Sequence, residues 1–438
     1  MKEPMSNDKK NKLILLSFLI SLSIVHILFW ISLTITKGYS FNSIIYSYFS
    51  SSVMDFFQPL VAATHNAPYD FFEGEFNITA TPFALLILKF LSGFIRGDVF
   101  GYHTSFFIHF TESMIVYMMF LLFTVTAVSL IVFSLKKGNN AIKAWFIFLL
   151  IFSTPFIYIY EQGSTVILAV IFTYLYVLGY DNDSKIIRHL SLIALAIATG
   201  LKVFPILFII LTFRKKRIGE GFLAFVYSAI LFFVPAFFFE GLGTLQSYFN
   251  NIGTAIEGYT TVLGTAYRVD IFSGLDTISL CLGNGIMTYG VLKIIIWAVL
   301  VISLLICAFI SKSAWRRVLA ITLLVTSAPV FSNYSSLAFM VIPLTMFLDT
   351  DEKREGADFL YEILFIIMLA PIAIKDCIVD FELNPGNELY IYSFLCTCAV
   401  TIMIFVLSIE TLGAPLAGIE LSKKKREMMK NNQANQED

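Results

Sequence analysis

The stretch LILLSFLISLSIVHILFWISLTIT, residues 13–36, decides the class of fold. It contains no Asp, Glu, Lys or Arg, and a helix of this length can cross a hydrocarbon core, which needs about 20 apolar residues. A secretory signal would have a shorter apolar region followed by a small-residue cleavage site. We therefore predict a first membrane span that is retained in the mature protein.

The composition supports the same class. The 438 residues are 58% hydrophobic and 14% charged, and the mean hydropathy is +0.80, whereas soluble domains are roughly half apolar and about a quarter charged. The net charge of -1 gives no reason to expect a nucleic-acid partner. The five cysteines show no metal-ligand spacing, so no metal site is expected.

Apolar runs that are long enough, or nearly long enough, to cross the membrane recur along the whole chain. A lone strand could not satisfy its backbone in lipid, so these runs are predicted to be helices. The sequence predicts an all-α polytopic membrane protein with about 12 transmembrane helices. Their predicted bounds are 13–36, 113–135, 144–160, 164–179, 189–201, 203–213, 222–239, 289–310, 318–330, 335–348, 358–374 and 390–408.

The apolar run Thr81–Ile95 is ambiguous, because a full span there would place Lys136 and Lys137 outside the cell. We interpret it as a re-entrant or juxtamembrane helix within the first outer loop. Most of the 30 Lys and Arg residues then fall on the cytoplasmic side, which places both termini in the cytoplasm. The expected location is a bacterial plasma membrane, crossed several times.

This topology predicts one transmembrane domain, residues 1–420, with a first outer loop at 37–112 and a second at 240–288. Residues 421–438 are highly charged and then rich in Asn and Gln, which is typical of a disordered tail. The cytoplasmic connections are short and contain no recognisable motif. Any chemistry is therefore expected on the outer face.

The first outer loop contains SSSVMDFFQPLVAATHNAPYDFFEGEFNITATP, residues 50–82, in which Asp55 lies within an apolar and aromatic surface. Partial withdrawal from water would raise the pKa of such a carboxylate and suit it to general-base catalysis near neutrality. A helix-capping or merely solvated aspartate is the alternative. His65, Tyr69, Asp70 and Glu73 follow; aromatic faces with carboxylates are typical of sugar sites and equally of loops lying among lipid headgroups.

Lys202 is the second candidate, within GLKVFP at residues 200–205. Gly200 and Pro205 predict a helix break there. A lysine at this depth is costly unless it is paired, and ionisable residues in membrane segments are functional candidates. A lipid phosphate would be its natural partner; a lysine that only extends to the interface is the alternative.

Three further outer segments contribute polar candidates. Glu161 and Gln162 form a polar turn between two spans, either as substrate contacts or as simple turn residues. Asn250 lies in the second outer loop, together with Arg268, whose planar fork of donors suits a phosphate.

Four segments carry a resemblance to a known family: MDFFQPLVAATHNAPYDF (54–71), ATPFALLIL (80–88), EQGSTVILAVIFTYLYVLGY (161–180) and GLKVFPILFIILTFRKKR (200–217). The chain resembles the C-type membrane glycosyltransferase superfamily, and more narrowly glycosyltransferase family 87, the polyprenol-phosphate-mannose-dependent mannosyltransferase-like proteins. The resemblance implies that Asp55 is the base on the acceptor hydroxyl. It also aligns Lys202 and Pro205 with a Lys-x-x-Pro landmark. The turn Glu-Gln-Gly departs from the family's usual Gly-Gln order.

The implied activity is transfer of a mannose-like hexose or a pentose from a polyprenyl-phosphate donor to a lipid or cell-envelope glycan acceptor, with inversion at the anomeric carbon. Membrane lipid is the expected surrounding partner, no nucleotide is needed, and a divalent metal is compatible with the chemistry although no ligand cluster demands one. The alternative is a polytopic transporter, or a flippase or polymerase of lipid-linked glycans. Ionisable residues at outer helix ends, rather than at mid-membrane, favour an enzyme. The expected donor-phosphate ligands are Lys202 and Arg268, and the expected sugar or acceptor contacts are His65, Tyr69, Asp70, Glu73, Glu161, Gln162 and Asn250.

Overall fold

The computed structural model of the chain describes residues 7–38, 53–71, 78–101, 104–261, 268–281, 290–329, 332–354, 356–372 and 392–413. Within these ranges the protein is all-α, and the one β-type pairing is an isolated bridge between Arg268 and Asn333. The helices are α1 (Asn7–Ile35), α2 (Met54–Ala62), α3 (Pro82–Ser92), α4 (Thr111–Phe133), α5 (Asn140–Ile151), α6 (Thr154–Gln162), α7 (Val166–Gly179), α8 (Lys185–Leu201), α9 (Ile210–Arg214), α10 (Ile218–Phe233), α11 (Leu242–Thr261), α12 (Ile271–Cys281), α13 (Gly290–Ile310), α14 (Ala314–Ser327), α15 (Val341–Asp349), α16 (Asp358–Leu369) and α17 (Tyr392–Gly413). Segments of 3₁₀ helix lie at Gly97–Gly101, Thr104–His109, Phe204–Ile209, Val234–Phe238 and Tyr334–Met340.

Membrane-spanning helices account for much of this architecture. In the described part, five helices are long and apolar enough to cross a bilayer: Lys9–Ile35, Thr111–Phe133, Ile218–Phe238, Gly290–Ile310 and Tyr392–Gly413. A sixth span results if α5 and α6, bent by 56° at their junction, are taken together. The predicted class is confirmed, whereas the predicted number of about 12 spans is not.

The difference arises because several predicted spans form helices too short to cross. Of the predicted spans, α7, Phe204–Arg214 and Tyr334–Asp349 each have between 10 and 17 residues, whereas a span needs roughly 17–25. The long helices expose large apolar side chains on their outer surfaces. Leu122 on α4 is 69% exposed and Val291 on α13 is 75% exposed, as expected for surfaces in contact with lipid.

The helix break predicted at Lys202 is confirmed. Helix α8 ends at Leu201, and Lys202 has extended backbone angles of φ -147° and ψ 124°. The chain resumes as the 3₁₀ segment Phe204–Ile209, which has Pro205 in its first turn. Helix α3 is present within the predicted first outer loop and begins at Pro82. The predicted tail, residues 421–438, lies outside the described residues, as does Glu73.

Candidate active site at Asp55 and Lys202

The start of helix α2 fixes the position of Asp55. The residue that caps this helix is Val53, which adopts the left-handed conformation at φ 59° and ψ 18°. This region is unfavourable for a β-branched side chain, and such strain persists only where the surroundings enforce it. Here the backbone N–H of Val53 donates to the carbonyl oxygen of Glu161 at 2.7 Å. The turn at the end of α6 therefore sets where α2 begins.

Gly163 allows this close approach. It has a φ of +72°, and a Cβ at this position would lie 2.6 Å from Phe56 Cβ and 2.9 Å from Val53 Cγ1. No side chain fits there without displacing α2. The preceding Gln162 is buried, and its Nε2 donates to Glu161 Oε2 at 2.6 Å. The polar turn 161–163 thus supports the helix that carries Asp55.

Aromatic packing holds the inner face of α2. The ring of Phe56 lies 5.3 Å from that of Tyr117 and 5.1 Å from that of Phe120, both on α4. The ring of Phe57 lies 5.4 Å from that of Phe107. Aromatic pairs at these separations stabilise the arrangement beyond the burial of area alone. One face of α2 is therefore anchored in the core, and Asp55 lies on the other.

The Asp55 carboxylate is both accessible and deep. The residue is exposed to solvent, yet the surrounding protein desolvates it and raises its pKa to about 6, with the positive charge of Lys202 acting in the opposite direction. We infer that the Asp55 carboxylate lies in a recess, where water reaches it although protein atoms surround it. The capping alternative fails, because the N-cap is Val53 and Asp55 has no hydrogen-bond or ion-pair partner among the described residues.

Lys202 is the charge that faces Asp55. Its side chain is half-buried; desolvation lowers its pKa, and the charge of Asp55 raises it. Within the described ranges Lys202 forms no salt bridge and no side-chain hydrogen bond. The two groups are 147 residues apart in the sequence. Their charges thus interact without a direct contact between the side chains. Each charge therefore shifts the pKa of the other group although the two side chains form no salt bridge.

Thr81 connects the first outer loop to the break at Lys202. Its hydroxyl donates to the carbonyl oxygen of Gly200, and it accepts the N–H of Ala84 at 3.3 Å as the cap of α3. Gly200 itself lies against α3, because a Cβ there would be 2.8 Å from Phe83. Helix α3 also packs on α2. The supports of Asp55 and of Lys202 are therefore joined by one helix.

A cavity of about 610 Å³ opens beside Lys202. Its walls are mostly apolar and aromatic, from α10, α11 and the 3₁₀ segment Phe204–Ile209, and Asp55 is not among them. Besides Lys202 and Tyr248, its polar side chains are Thr79, Thr81, Thr199 and Ser228. A mainly apolar cavity with one cation at its edge fits an amphipathic anion.

Ser228 adds an unsatisfied group to that cavity. The residue is 3% exposed, and its Oγ has no hydrogen-bond partner in the described part of the chain. A buried hydroxyl without a partner costs about 1–3 kcal/mol. A polar atom of a ligand in the cavity would remove that cost.

The other predicted residues of the first loop lie at its surface or behind the cavity wall. Tyr69 is buried, its hydroxyl donates to Ala80 O at 2.7 Å, and its ring lies 5.5 Å from that of the wall residue Tyr248. His65 and Asp70 are exposed, and His65 stacks on Phe71 at 4.0 Å. Tyr69 therefore supports the wall.

In the second outer loop, the structure assigns a role to the neighbour of the predicted residue. Asn250 is exposed. Asn251 instead turns towards the first loop, where its Nδ2 donates to Tyr69 O at 2.9 Å and to Ile78 O at 3.4 Å. Helix α11 is thereby fixed to the segment that was predicted to be the first outer loop.

Arg268 does not join Asp55 and Lys202. It is 1% exposed, and its Nε and Nη2 donate to the Asp270 carboxylate at 2.9 and 2.8 Å. Its Nη1 lies 4.0 Å from Asp276, which also pairs with Lys293. Burial raises the pKa of Asp270 to about 6, and the charge of Arg268 opposes the shift. The fork of donors expected for a phosphate is occupied by a carboxylate.

Sequence reasoning assigned no role in the site to Thr81, Gly163 or Ser228. The first two leave local patterns, since Thr-Pro is typical of a helix N-terminus and a glycine after the last helical residue is typical of a C-terminus. Ser228 lies inside an apolar run and leaves no such pattern.

Neither a metal site nor a relative identifies the chemistry. Across the described residues, no three His, Cys, Asp or Glu side chains come together as metal ligands would. A scan against protein-family models, a search of curated proteins and a search of solved structures found no match for this chain. Asp55, Lys202 and the cavity are therefore the features that bear on the function of this protein.

Proposed function

We propose that this chain is a membrane glycosyltransferase that moves a mannose-like hexose or a pentose from a polyprenyl-phosphate donor to a hydroxyl of a lipid or cell-envelope glycan. One arrangement carries the proposal: Lys202 lines a largely apolar cavity of about 610 Å³, and α3, which packs on the helix that carries Asp55, is bonded through Thr81 to the end of α8 beside Lys202. The motif resemblance to glycosyltransferase family 87 agrees with it. The reaction would take place on the outer face of a bacterial plasma membrane, with both termini in the cytoplasm.

The cavity supports a lipid-phosphate donor in particular. Such a molecule joins one anionic group to a long hydrocarbon chain, and the cavity joins one cation to aromatic and aliphatic walls. Lys202 would bind the phosphate, and the unpartnered hydroxyl of Ser228 would donate a hydrogen bond to one of its oxygens. The sugar would then lie on the Asp55 side of Lys202.

The proposed reaction is a single displacement. The acceptor oxygen forms a bond to the anomeric carbon as the bond from that carbon to the phosphate oxygen breaks, through a transition state that resembles an oxocarbenium ion. Asp55 takes the proton of the acceptor hydroxyl. The polyprenyl phosphate leaves with the bonding electrons, and the ammonium of Lys202 stabilises its added charge. His65, Asp70, Glu73 and Glu161 remain predicted contacts to the sugar or acceptor.

The test is transfer by the purified protein in lipid vesicles, from a radiolabelled polyprenyl-phosphate sugar to a glycolipid acceptor. Lys202→Met should lower both transfer and the affinity for polyprenyl phosphate by about tenfold or more, since hydrogen bonds to charged groups contribute about 1.5–3 kcal/mol. Lys89→Met is the matched control, because Lys89 lies on α3 above the ring of Phe239 and does not line the cavity.

Unchanged transfer by a folded Lys202→Met protein would contradict the proposed role of Lys202. If the wild-type protein instead moved a lipid-linked glycan across the vesicle membrane without transferring its sugar, the transporter alternative would replace the enzyme.

A further inference from the structure

A second apolar space adjoins the cavity at Lys202. This limb has a volume of about 260 Å³. The cavity and the limb have common wall residues at Val203, Phe204, Ile206, Ala328 and Pro329. Beyond them the cavity is bounded by α10 and α11, whereas the limb is bounded by α13 and α14. The two spaces therefore share a wall at the 3₁₀ segment that follows Lys202.

The limb differs from the cavity in its chemistry. Every residue that lines it is apolar or aromatic. Its one side-chain donor, the indole N–H of Trp297, is satisfied by the carbonyl oxygen of Ala328 at 2.9 Å. A phosphate or a sugar placed there would lose its hydrogen bonds to water without replacement. Only a hydrocarbon fits the limb, whereas the cavity offers Lys202 and the free hydroxyl of Ser228.

The limb is elongated along α13. Trp297 lies at the shared end, as its bond to Ala328 indicates, and Val301 and Leu305 follow one and two turns further along the same face of the helix. Eight residues of helix extend about 12 Å. On the opposite wall the chain also runs away from Lys202, from Val203 to Leu207. A slender apolar space thus extends away from the cation.

We propose that the lipid whose phosphate lies at Lys202 extends past the shared wall residues and places part of its hydrocarbon chain in the limb. The inference depends on the proposed function for the identity of that lipid. The occupant follows from the wall that the limb shares with the cavity at Lys202 and from the apolar character of every side chain in its described walls except the satisfied indole of Trp297. The headgroup and the acceptor then meet in the wider cavity.

The test fills the limb and compares two lipids. Val301→Trp places a large ring in the limb, whereas Ile302→Trp, one residue further along, adds the same ring to a lipid-facing position that is 55% exposed. Each variant and the wild type are incubated with undecaprenyl phosphate and with geranyl phosphate, and binding is measured by native mass spectrometry. Transfer from the two corresponding sugar phosphates is measured in parallel.

The expected result is selective. Val301→Trp should weaken binding of the long-chain lipid by about tenfold or more, the scale on which an apolar pocket discriminates against a misfitting group, and leave the short-chain lipid unchanged. Ile302→Trp should change neither. Equal losses for both lipids, or no loss for either, would overturn the assignment of the limb.

The same measurements separate this inference from the proposed function. If wild type binds both lipids through Lys202 and Val301→Trp does not discriminate between them, the limb assignment alone fails. If the chain-length effect on binding is present and no sugar is transferred from any lipid phosphate, the glycosyltransferase proposal fails and the lipid site stands. If wild type binds neither lipid, both fail.

Discussion

The pH dependence of transfer tests whether Asp55 is the base. The pKa of this carboxyl is raised to about 6, and a general base must be ionised before it can accept a proton. Wild-type transfer should therefore fall as the pH is lowered through about 6. The ionised fraction is about nine-tenths at pH 7 and about one-tenth at pH 5 for such a group. The rate should drop by roughly tenfold over that interval.

Two variants sharpen the prediction. Asp55→Asn keeps the shape of the side chain and removes the base, so transfer at pH 7.5 should fall by about 10²–10⁴-fold. The residual rate should no longer decrease as the pH is lowered through about 6. Lys202→Met removes the charge that lowers the pKa of Asp55. The smaller residual activity of this variant should therefore begin to fall at a higher pH than that of the wild type. The assay is initial-rate transfer of labelled sugar between pH 5 and 8, at saturating donor.

Asp98→Asn is the control, because Asp98 is an exposed acid that pairs with Arg96 outside the site; its profile should match the wild type. The reasoning would be refuted if Asp55→Asn retained near-normal transfer while folded. It would also be refuted if the transfer rate of Lys202→Met fell at a lower pH than that of the wild type.

Three further substitutions test two supports of the site and the buried ion pair of Arg268. Gly163→Ala should lower stability by about 3 kcal/mol, since the added Cβ meets α2 at a left-handed φ; thermal unfolding in detergent measures it, and Gly219→Ala, in open space, should cost nothing. Thr81→Val should cost about 1 kcal/mol through loss of the cap and reduce transfer, whereas Thr81→Ser should retain both; equal behaviour of the two would remove the hydroxyl from the argument. Arg268→Gln should destabilise by about 3–5 kcal/mol, because it leaves Asp270 buried without its partner. That loss should be larger at pH 8 than at pH 5, because the pKa of Asp270 would rise further without Arg268 and the protonated carboxyl suits the buried site. Lost lipid binding with unchanged stability would instead support Arg268 as a phosphate ligand.

The sequence by itself determined the class of fold and the local breaks. Residues 13–36 and the similar runs after them must be helices in lipid, because only a helix satisfies every backbone group within one segment. The break at Lys202 follows from Gly200 and Pro205 for the same local reason, since proline removes a donor and clashes with the preceding turn. Span number was not determined in this way, because hydropathy does not separate a crossing helix from a shorter apolar helix that packs inside the protein.

The tertiary structure alone decided which polar residues come together. Asp55 and Lys202 were separate candidates in the sequence, and their interaction depends on α3, which packs on α2 and holds the end of α8 through Thr81. Arg268 had the same status in the sequence, yet Asp270, two residues further along, occupies its donors. Local pattern shows what a side chain can do, whereas its partner depends on contacts between distant segments. The cavity and its limb are likewise spaces between helices, and no single segment encodes them.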